Sequence, residues 1–303
     1  MAKGARDVLE LVGNTPLVRL NKLAGPGYAE VLCKLESLNP SGSIKDRVAL
    51  ALVADAEARG ALHPGQVLLV ATSGNTGISL AMVANARGYR LVVMMPENAL
   101  AERRRLLARY GAETRLTPAY QGMDGAQRAA QELAEREGYV LLDPFRDPAV
   151  VRAHREATAR EILAQVDGRI DAFVAGVGTG ATVTGVGSVL KQRNQGTLVV
   201  AVEPASSRVL SGGKAGPHGI PGIGADFVPP LLERGLLDEI VPVTDEAASQ
   251  TALRLARQEG LLVGISSGAN VAAALKLAAR LGAGKRVVTG LPDTGERYVN
   301  FPL

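Results

Sequence analysis

Tryptophan is absent from this 303-residue chain, aromatic residues make up only 3% of it, and cysteine occurs once. With so few rings there is no platform on which bases could stack, and the net charge of +4 is spread over many helices, so nucleic-acid binding is not expected. The lone cysteine, Cys33, has no partner for an internal disulfide. It sits in the strand-like run 29–35, which predicts a buried structural thiol and a cytoplasmic compartment. The three histidines, His63, His154 and His218, fall at no metal-ligand spacing, and no metal site is expected. No apolar run approaches the length needed to cross a bilayer, and residues 1–7 lead into no hydrophobic signal segment, so neither membrane insertion nor export is expected.

What is there is enough apolar material, 47% of the chain, to bury a large core in one large or two medium domains of a soluble globular protein. Strand-like runs recur near residues 29–35, 66–71, 90–95, 139–142, 171–177, 198–203, 239–243 and 286–290. Alanine-rich helical patterns lie between most of them, at 78–87, 99–110, 126–137, 150–165, 246–259 and 269–281. That alternation predicts an α/β protein with largely parallel, twisted sheets. A strand, a glycine-bearing loop and a helix follow one another twice in similar form, at 67–87 and 173–191, as in two nucleotide-domain-like halves. The proline-bearing turn at 143–148 is the best internal break, and the irregular stretch 211–226 is long enough to be a site loop.

Chemistry concentrates at a few turns. Asn39, Pro40, Ser41 and Gly42 form turns, and Ser43 with Asp46 reads as a capping box ahead of a helical pattern, which puts Lys45 in a first helical turn. The partial positive charge there favours the neutral amine, making Lys45 a candidate base or Schiff-base former as well as a candidate surface lysine. The loop from Gly176 through Gly178, Thr179, Gly180, Ala181 and Thr182 follows a strand and opens a helix, a cradle for a phosphate. Its Gly176, Gly178 and Ala181 also fit a dinucleotide fingerprint, with Glu203 where a ribose-binding acid falls, so a nicotinamide-dependent oxidoreductase is the rival enzyme class. A second turn, Thr72, Ser73, Gly74, Asn75, Thr76 and Gly77, presents hydroxyls, an amide and glycines to one anion such as a carboxylate, its plainer reading being a well-capped helix ahead of residue 78. Near the C-terminus Ser266 and Ser267 precede another helical pattern, which either could cap.

Taken in order, Gly13-Asn14-Thr15-Pro16-Leu17, the Lys45 segment, the turn at 72–77, the loop at 176–182 and residues 264–268 resemble the cysteine synthase (O-acetylserine sulfhydrylase) family, which belongs with cystathionine β-synthase among the fold-type-II pyridoxal-phosphate enzymes. The likeness runs from about residue 8 to about residue 298. It implies two three-layer α/β domains of tryptophan synthase β-like fold: a smaller, mobile, substrate-binding one at 35–145 plus about 1–12, and a larger phosphate-binding one at 146–303 plus about 13–34. It implies that Lys45 carries pyridoxal 5'-phosphate as a Schiff base, that Asn75 bonds its 3-hydroxyl, that Gly178, Thr179, Gly180, Ala181 and Thr182 hold its phosphate, and that Ser266 faces its pyridine nitrogen. Thr72, Ser73, Gly74 and Thr76 then receive the substrate carboxylate. The implied reaction is β-replacement through an α-aminoacrylate, most simply O-acetylserine and sulfide to cysteine and acetate, in a homodimer whose site can accept the tail of a serine acetyltransferase.

The chain departs from that pattern in three places. Ala181 replaces a glycine of the phosphate loop, and Pro144 stands where a glutamine commonly helps bind the carboxylate. Asp226 stands where cysteine synthases tend to have glycine and cystathionine β-synthases aspartate. A carboxylate there can take a proton from an incoming nucleophile, which keeps open a cystathionine-forming reaction or a sulfide-releasing β-lyase or hydroxyl-lyase, beside the plain reading of a solvated loop residue. The haem-binding and regulatory regions of some cystathionine β-synthases are not expected, and a catalytic core alone stays compatible with that reaction.

Overall fold

The computed structural model describes residues 4–299. It forms two compact units, one from Met1–Val12 and Lys45–Val150, the other from Gly13–Ile44 and Val151–Leu303. In chain order the strands are β1 (Leu17–Arg19), β2 (Glu30–Leu35), β3 (Val67–Ala71), β4 (Arg90–Pro96), β5 (Glu113–Thr117), β6 (Val140–Leu141), β7 (Ala172–Gly176), β8 (Leu198–Pro204), β9 (Glu239–Val243) and β10 (Arg286–Leu291). The helices are α1 (Lys45–Ala58), α2 (Asn75–Arg87), α3 (Ala101–Arg109), α4 (Gly122–Glu137), α5 (Ala149–Ala153), α6 (Ala159–Gln165), α7 (Ala181–Arg193), α8 (Asp245–Arg254) and α9 (Ile265–Leu281).

The smaller unit is built on a parallel sheet in the order β5-β4-β3-β6. Its central strands are near-continuous apolar runs, with Leu68, Leu69, Val70, Val92, Val93 and Met95 almost wholly buried, as expected where both faces of a parallel sheet are covered. The larger unit carries the order β1-β2-β10-β7-β8-β9, parallel throughout except for the antiparallel edge pair β1 and β2. Strands β1 and β5 lie outside the runs read from sequence. The first has three residues, and the second, Glu-Thr-Arg-Leu-Thr, is a polar edge strand without an apolar run.

Residues 35–44, expected with the smaller domain, belong to the larger unit, and residues 146–150, expected with the larger, belong to the smaller. The Ile44 N–H is bonded to the Pro292 carbonyl at 2.7 Å, Ser43 bridges to Asp293, and the Gly42 carbonyl accepts from the Thr294 N–H at 3.1 Å. Helix α5 continues into α6 through a π-helical turn, His154–Thr158, that buries His154 and Thr158. Such turns widen a helix locally and recur at functional sites. Helix α6 also reaches β2: Lys34 is 1% exposed and its ammonium is held by Glu161 at 2.8 Å, Gln165 at 2.8 Å and the Thr15 carbonyl. A charge that deep persists only because all of these acceptors replace water.

Candidate active site

In the smaller unit, Lys45 is the first residue of α1 and is half-buried. The chain just before it is anchored in the larger unit by the bonds of residues 42–44, so the lysine stands where one unit passes into the other. Its neighbour Asp46, completely buried, accepts the Ser79 hydroxyl at 2.6 Å and so joins α1 to α2. The motif Gly13 to Leu17 braces the turn ahead of the lysine. Thr15 donates to Glu36 at 2.9 Å, the Asn39 amide donates to Glu36 at 2.7 Å, and the Asn39 carbonyl oxygen accepts from the Gly13 N–H at 2.9 Å.

The turn after β3 is shorter than the sequence suggests. Helix α2 begins at Asn75, so Asn75, Thr76 and Gly77 lie in its first turn. Its N-cap is Gly74, with no side chain bonded to the helix amides, which answers the plain alternative of a well-capped helix. Thr72 instead accepts from the Gly74 N–H at 3.2 Å, and Arg103 of α3 donates to the Ser73 carbonyl at 2.7 Å. The Gly77 N–H closes the first turn on the Gly74 carbonyl at 3.2 Å, and the start of a helix behind a glycine, with the Ser73 carbonyl engaged by Arg103, is a place that favours an anion. Arg103 escaped the sequence reading because Glu102, Arg103, Arg104 and Arg105 read as a solvated helix face. Pro144 is buried just after β6 and offers no donor.

In the larger unit, β7 runs into Val177, Gly178, Thr179 and Gly180 ahead of α7. Gly180 is the N-cap in the left-handed region, φ 81°, again with no side-chain cap. A methyl on Gly178 would come within 2.4 Å of the Gly222 carbonyl, so only glycine lets the loop pack this closely on residues 222–223. Ala181, the departure from the family glycine, buries its methyl completely. Thr182 and His154 are 3.2 Å apart through Oγ1 and Nε2, and His154 Nδ1 is 3.0 Å from the Thr158 hydroxyl, so the π-helical turn orients a hydroxyl at the helix entrance. No pattern in the sequence foretells that turn, and His154 had appeared there only as a histidine without metal spacing.

Glu203 is not available to a ribose. It is 1% exposed, its Oε2 accepts the Leu210 N–H at 2.9 Å and its Oε1 accepts the Ser211 hydroxyl. Helix α9 starts behind Gly264, so neither Ser266 nor Ser267 caps it. Both are buried, and Ser267 Oγ has no bonded partner. The Asn270 amide, one turn further, donates to the Gly290 carbonyl at 2.9 Å. The 211–226 stretch is irregular as expected. His218 stitches it, with Nδ1 accepting from the Ile220 N–H at 3.3 Å and Nε2 donating to the Gly224 carbonyl at 3.0 Å. The Gly224 N–H in turn bonds to Val177 at the end of β7, and Asp226 stands two residues on, exposed. Among the described residues no cluster suits a metal ion.

Three helices thus begin behind a glycine N-cap that has no side chain to offer, with the Thr179 hydroxyl reaching the Ala181 N–H of α7 at 3.4 Å, whereas α8 is capped conventionally by Thr244, which accepts from the Ala247 N–H at 3.1 Å. Donors at α7 fit a phosphate and those at α2 a carboxylate, while a lysine in a first helical turn can serve as base or Schiff-base former. These are the requirements of a vitamin B6 cofactor and its amino-acid substrate.

The fold and these turns define a cofactor-dependent α/β enzyme. The family model described as pyridoxal-phosphate dependent enzyme matches residues 8–293, and the chain belongs to that family. It is 47% identical over 302 residues to a cysteine synthase of Staphylococcus aureus, spanning 99% of this chain and 97% of the relative. The crystal structure of an O-ureido-L-serine synthase superposes with a TM-score of 0.96 at 45% identity, covering 98% of this chain and 94% of its own. A cysteine synthase of Entamoeba histolytica superposes with a TM-score of 0.94 at 37% identity, covering 99% and 90%.

Proposed function

We propose that this protein catalyses β-replacement on a serine-derived amino acid, converting O-acetylserine and sulfide to cysteine and acetate. The observation that carries the reading is the start of α2, whose glycine N-cap offers no side chain to the helix amides, with the Thr72 hydroxyl on the Gly74 N–H and Arg103 on the Ser73 carbonyl.

In this reading Gly178, Thr179, Gly180, Ala181 and Thr182 bind the phosphate of pyridoxal 5'-phosphate, Asn75 bonds its 3-hydroxyl, and Ser266 faces its ring nitrogen. When bound, the cofactor withdraws electrons from Cα of the attached amino acid. A serine hydroxyl does not protonate the ring as an aspartic acid does, which keeps that withdrawal modest and favours departure of a β-substituent. Thr72, Ser73, Gly74 and Thr76 orient the substrate carboxylate. Lys45 would hold the cofactor through its side-chain amine in the resting enzyme and would be free to act as a base once the amino acid is bound. Its amine then takes the Cα proton, acetate leaves from Cβ with the electron pair, sulfide adds at Cβ, and Lys45 returns a proton to Cα. The smaller unit serves as the mobile substrate-binding domain, and excluding water protects the intermediate state from hydrolysis. The protein works as a cytoplasmic homodimer, and the carboxylate turn is also where the C-terminal tail of a serine acetyltransferase docks.

Asp226, exposed on the segment that Gly224 ties to the end of β7, favours a second reading in which serine or cysteine is the substrate and cystathionine or sulfide the product. Turnover assays with O-acetylserine, serine and cysteine, each with sulfide, homocysteine or neither, separate the two. Cysteine formation from O-acetylserine that is at least tenfold faster than any reaction of serine or cysteine supports the first. Lys45→Ala must abolish it; undiminished turnover in that variant contradicts the mechanism.

A further inference from the structure

A cavity of about 570 Å³ in the larger unit does not involve the turns described above. It opens at the N-terminal ends of the parallel strands, whereas the phosphate loop follows the C-terminal end of β7, so roughly 16 Å of strand separates the two. Its floor is a charged row across three neighbouring strands. Arg286 at the start of β10 pairs with Glu30 of β2 at 2.6 Å, and its N–H bonds to the Asp171 carboxylate ahead of β7 at 3.0 Å. Three further cations ring the row. Arg19 lies 3.5 Å from Glu30, and Arg169 and Lys285 lie 3.0 and 3.5 Å from Asp171.

Four cationic side chains thus share two carboxylates, a surplus of two positive charges on one cavity. The oxygens of both acids are fully engaged by these pairings. Asp171 is 7% exposed, with both oxygens engaged, and the two oxygens of Glu30 go to Arg19 and Arg286. The outer side chains of Arg19, Arg169 and Lys285 are 63%, 58% and 45% exposed, and each holds its carboxylate with only part of its donor set. The volume lies within the range of small-molecule sites, and a lining with an excess of positive charge attracts an entering anion.

We propose that this cavity binds a small dianion, a phosphomonoester or a dicarboxylate, at a second site remote from the catalytic turns. Arg19, Arg169 and Lys285 supply the hydrogen bonds, and the Glu30–Arg286–Asp171 row fixes them in place. The proposal stands on this cavity alone and does not depend on which amino acid the enzyme uses.

Isothermal titration of the cofactor-loaded enzyme at low ionic strength, with inorganic phosphate and separately with succinate, tests it. Binding of either ion to the parent is expected, weakened at least tenfold in Arg169→Glu/Lys285→Glu and several-fold in Arg19→Glu, whose loose ion pair makes it the safer variant for folding. Phosphate alone, succinate alone or both binding in this charge-dependent way identifies the occupant as phosphomonoester, dicarboxylate or either. No binding to the parent, or binding undiminished in folded Arg19→Glu and the double variant, overturns the proposal and assigns any heat to the catalytic turns.

Discussion

Arg103 donates a hydrogen bond to the Ser73 carbonyl oxygen at 2.7 Å, tying helix α3 to the turn ahead of α2. Pro144 offers no side-chain donor, and under the proposed reading this guanidinium keeps an oxygen dipole turned away and holds positive charge beside the substrate carboxylate. Arg103→Met should therefore raise KM for the amino acid about tenfold, on the order of the 1.5–3 kcal/mol typical of a hydrogen bond to a charged group, and change kcat much less. Equal losses in kcat and kcat/KM would place its role in the reacting state, and an unchanged KM would remove it from the site.

Gly178 packs on the Gly222 carbonyl too tightly for any side chain. Gly178→Ala should push the phosphate loop off residues 222–223 and weaken pyridoxal-phosphate binding by tenfold or more, measured by cofactor dissociation on dilution or dialysis. Retention equal to the parent's would show that the loop does not hold the phosphate.

Glu259 closes the far side of the same unit. Its carboxylate accepts from three consecutive amides, Lys22 at 2.7 Å, Leu23 at 2.8 Å and Asn21 at 3.1 Å. Burial pushes its pKa up, but those amides, with Lys22, outweigh that and hold it below the ordinary value. A carboxyl depressed by folding stabilises the protein fully above the unfolded carboxylate range, and the contribution disappears as pH falls through the folded value. Glu259→Ala should cost about 1–2 kcal/mol at neutral pH and nothing once the pH is well below that value, in denaturant titrations at a series of pH values. A deficit independent of pH would mean the loss is packing alone.

Asp226→Gly should lower turnover with serine or cysteine more than with O-acetylserine, because only the poorer leaving groups gain from a nearby proton source. Equal effects on all three substrates would make Asp226 a solvated loop residue.

Much of this was legible in the sequence, and for identifiable reasons. Strands β3, β4 and β8 are apolar runs because both their faces are covered, and the loops at 72–77 and 176–182 stand out because glycine and hydroxyl residues follow a strand directly. What escaped was set by distant partners. Residues 35–44 follow the larger unit because Pro292, Asp293 and Thr294 bind residues 42–44, contacts some 250 residues away in the chain. The first turn of α2 begins three residues earlier than the periodicity does, since Asn75, Thr76 and Gly77 are polar or small and carry no apolar signal. Arg103 and His154 act by holding Ser73 and Thr182, and neither shows its role in its own neighbourhood in the chain. The cavity beyond β10 draws its charges from segments around residues 19, 30, 170 and 285, which no local motif unites.

The visible absorption spectrum of the purified protein tests the central claim most directly. The account predicts a yellow protein whose band shifts to longer wavelength and persists on addition of O-acetylserine, collapses when sulfide follows, and is absent in Lys45→Ala given O-acetylserine. A protein with no visible band after incubation with pyridoxal phosphate, or one whose band responds to serine and cysteine but not to O-acetylserine, would contradict it.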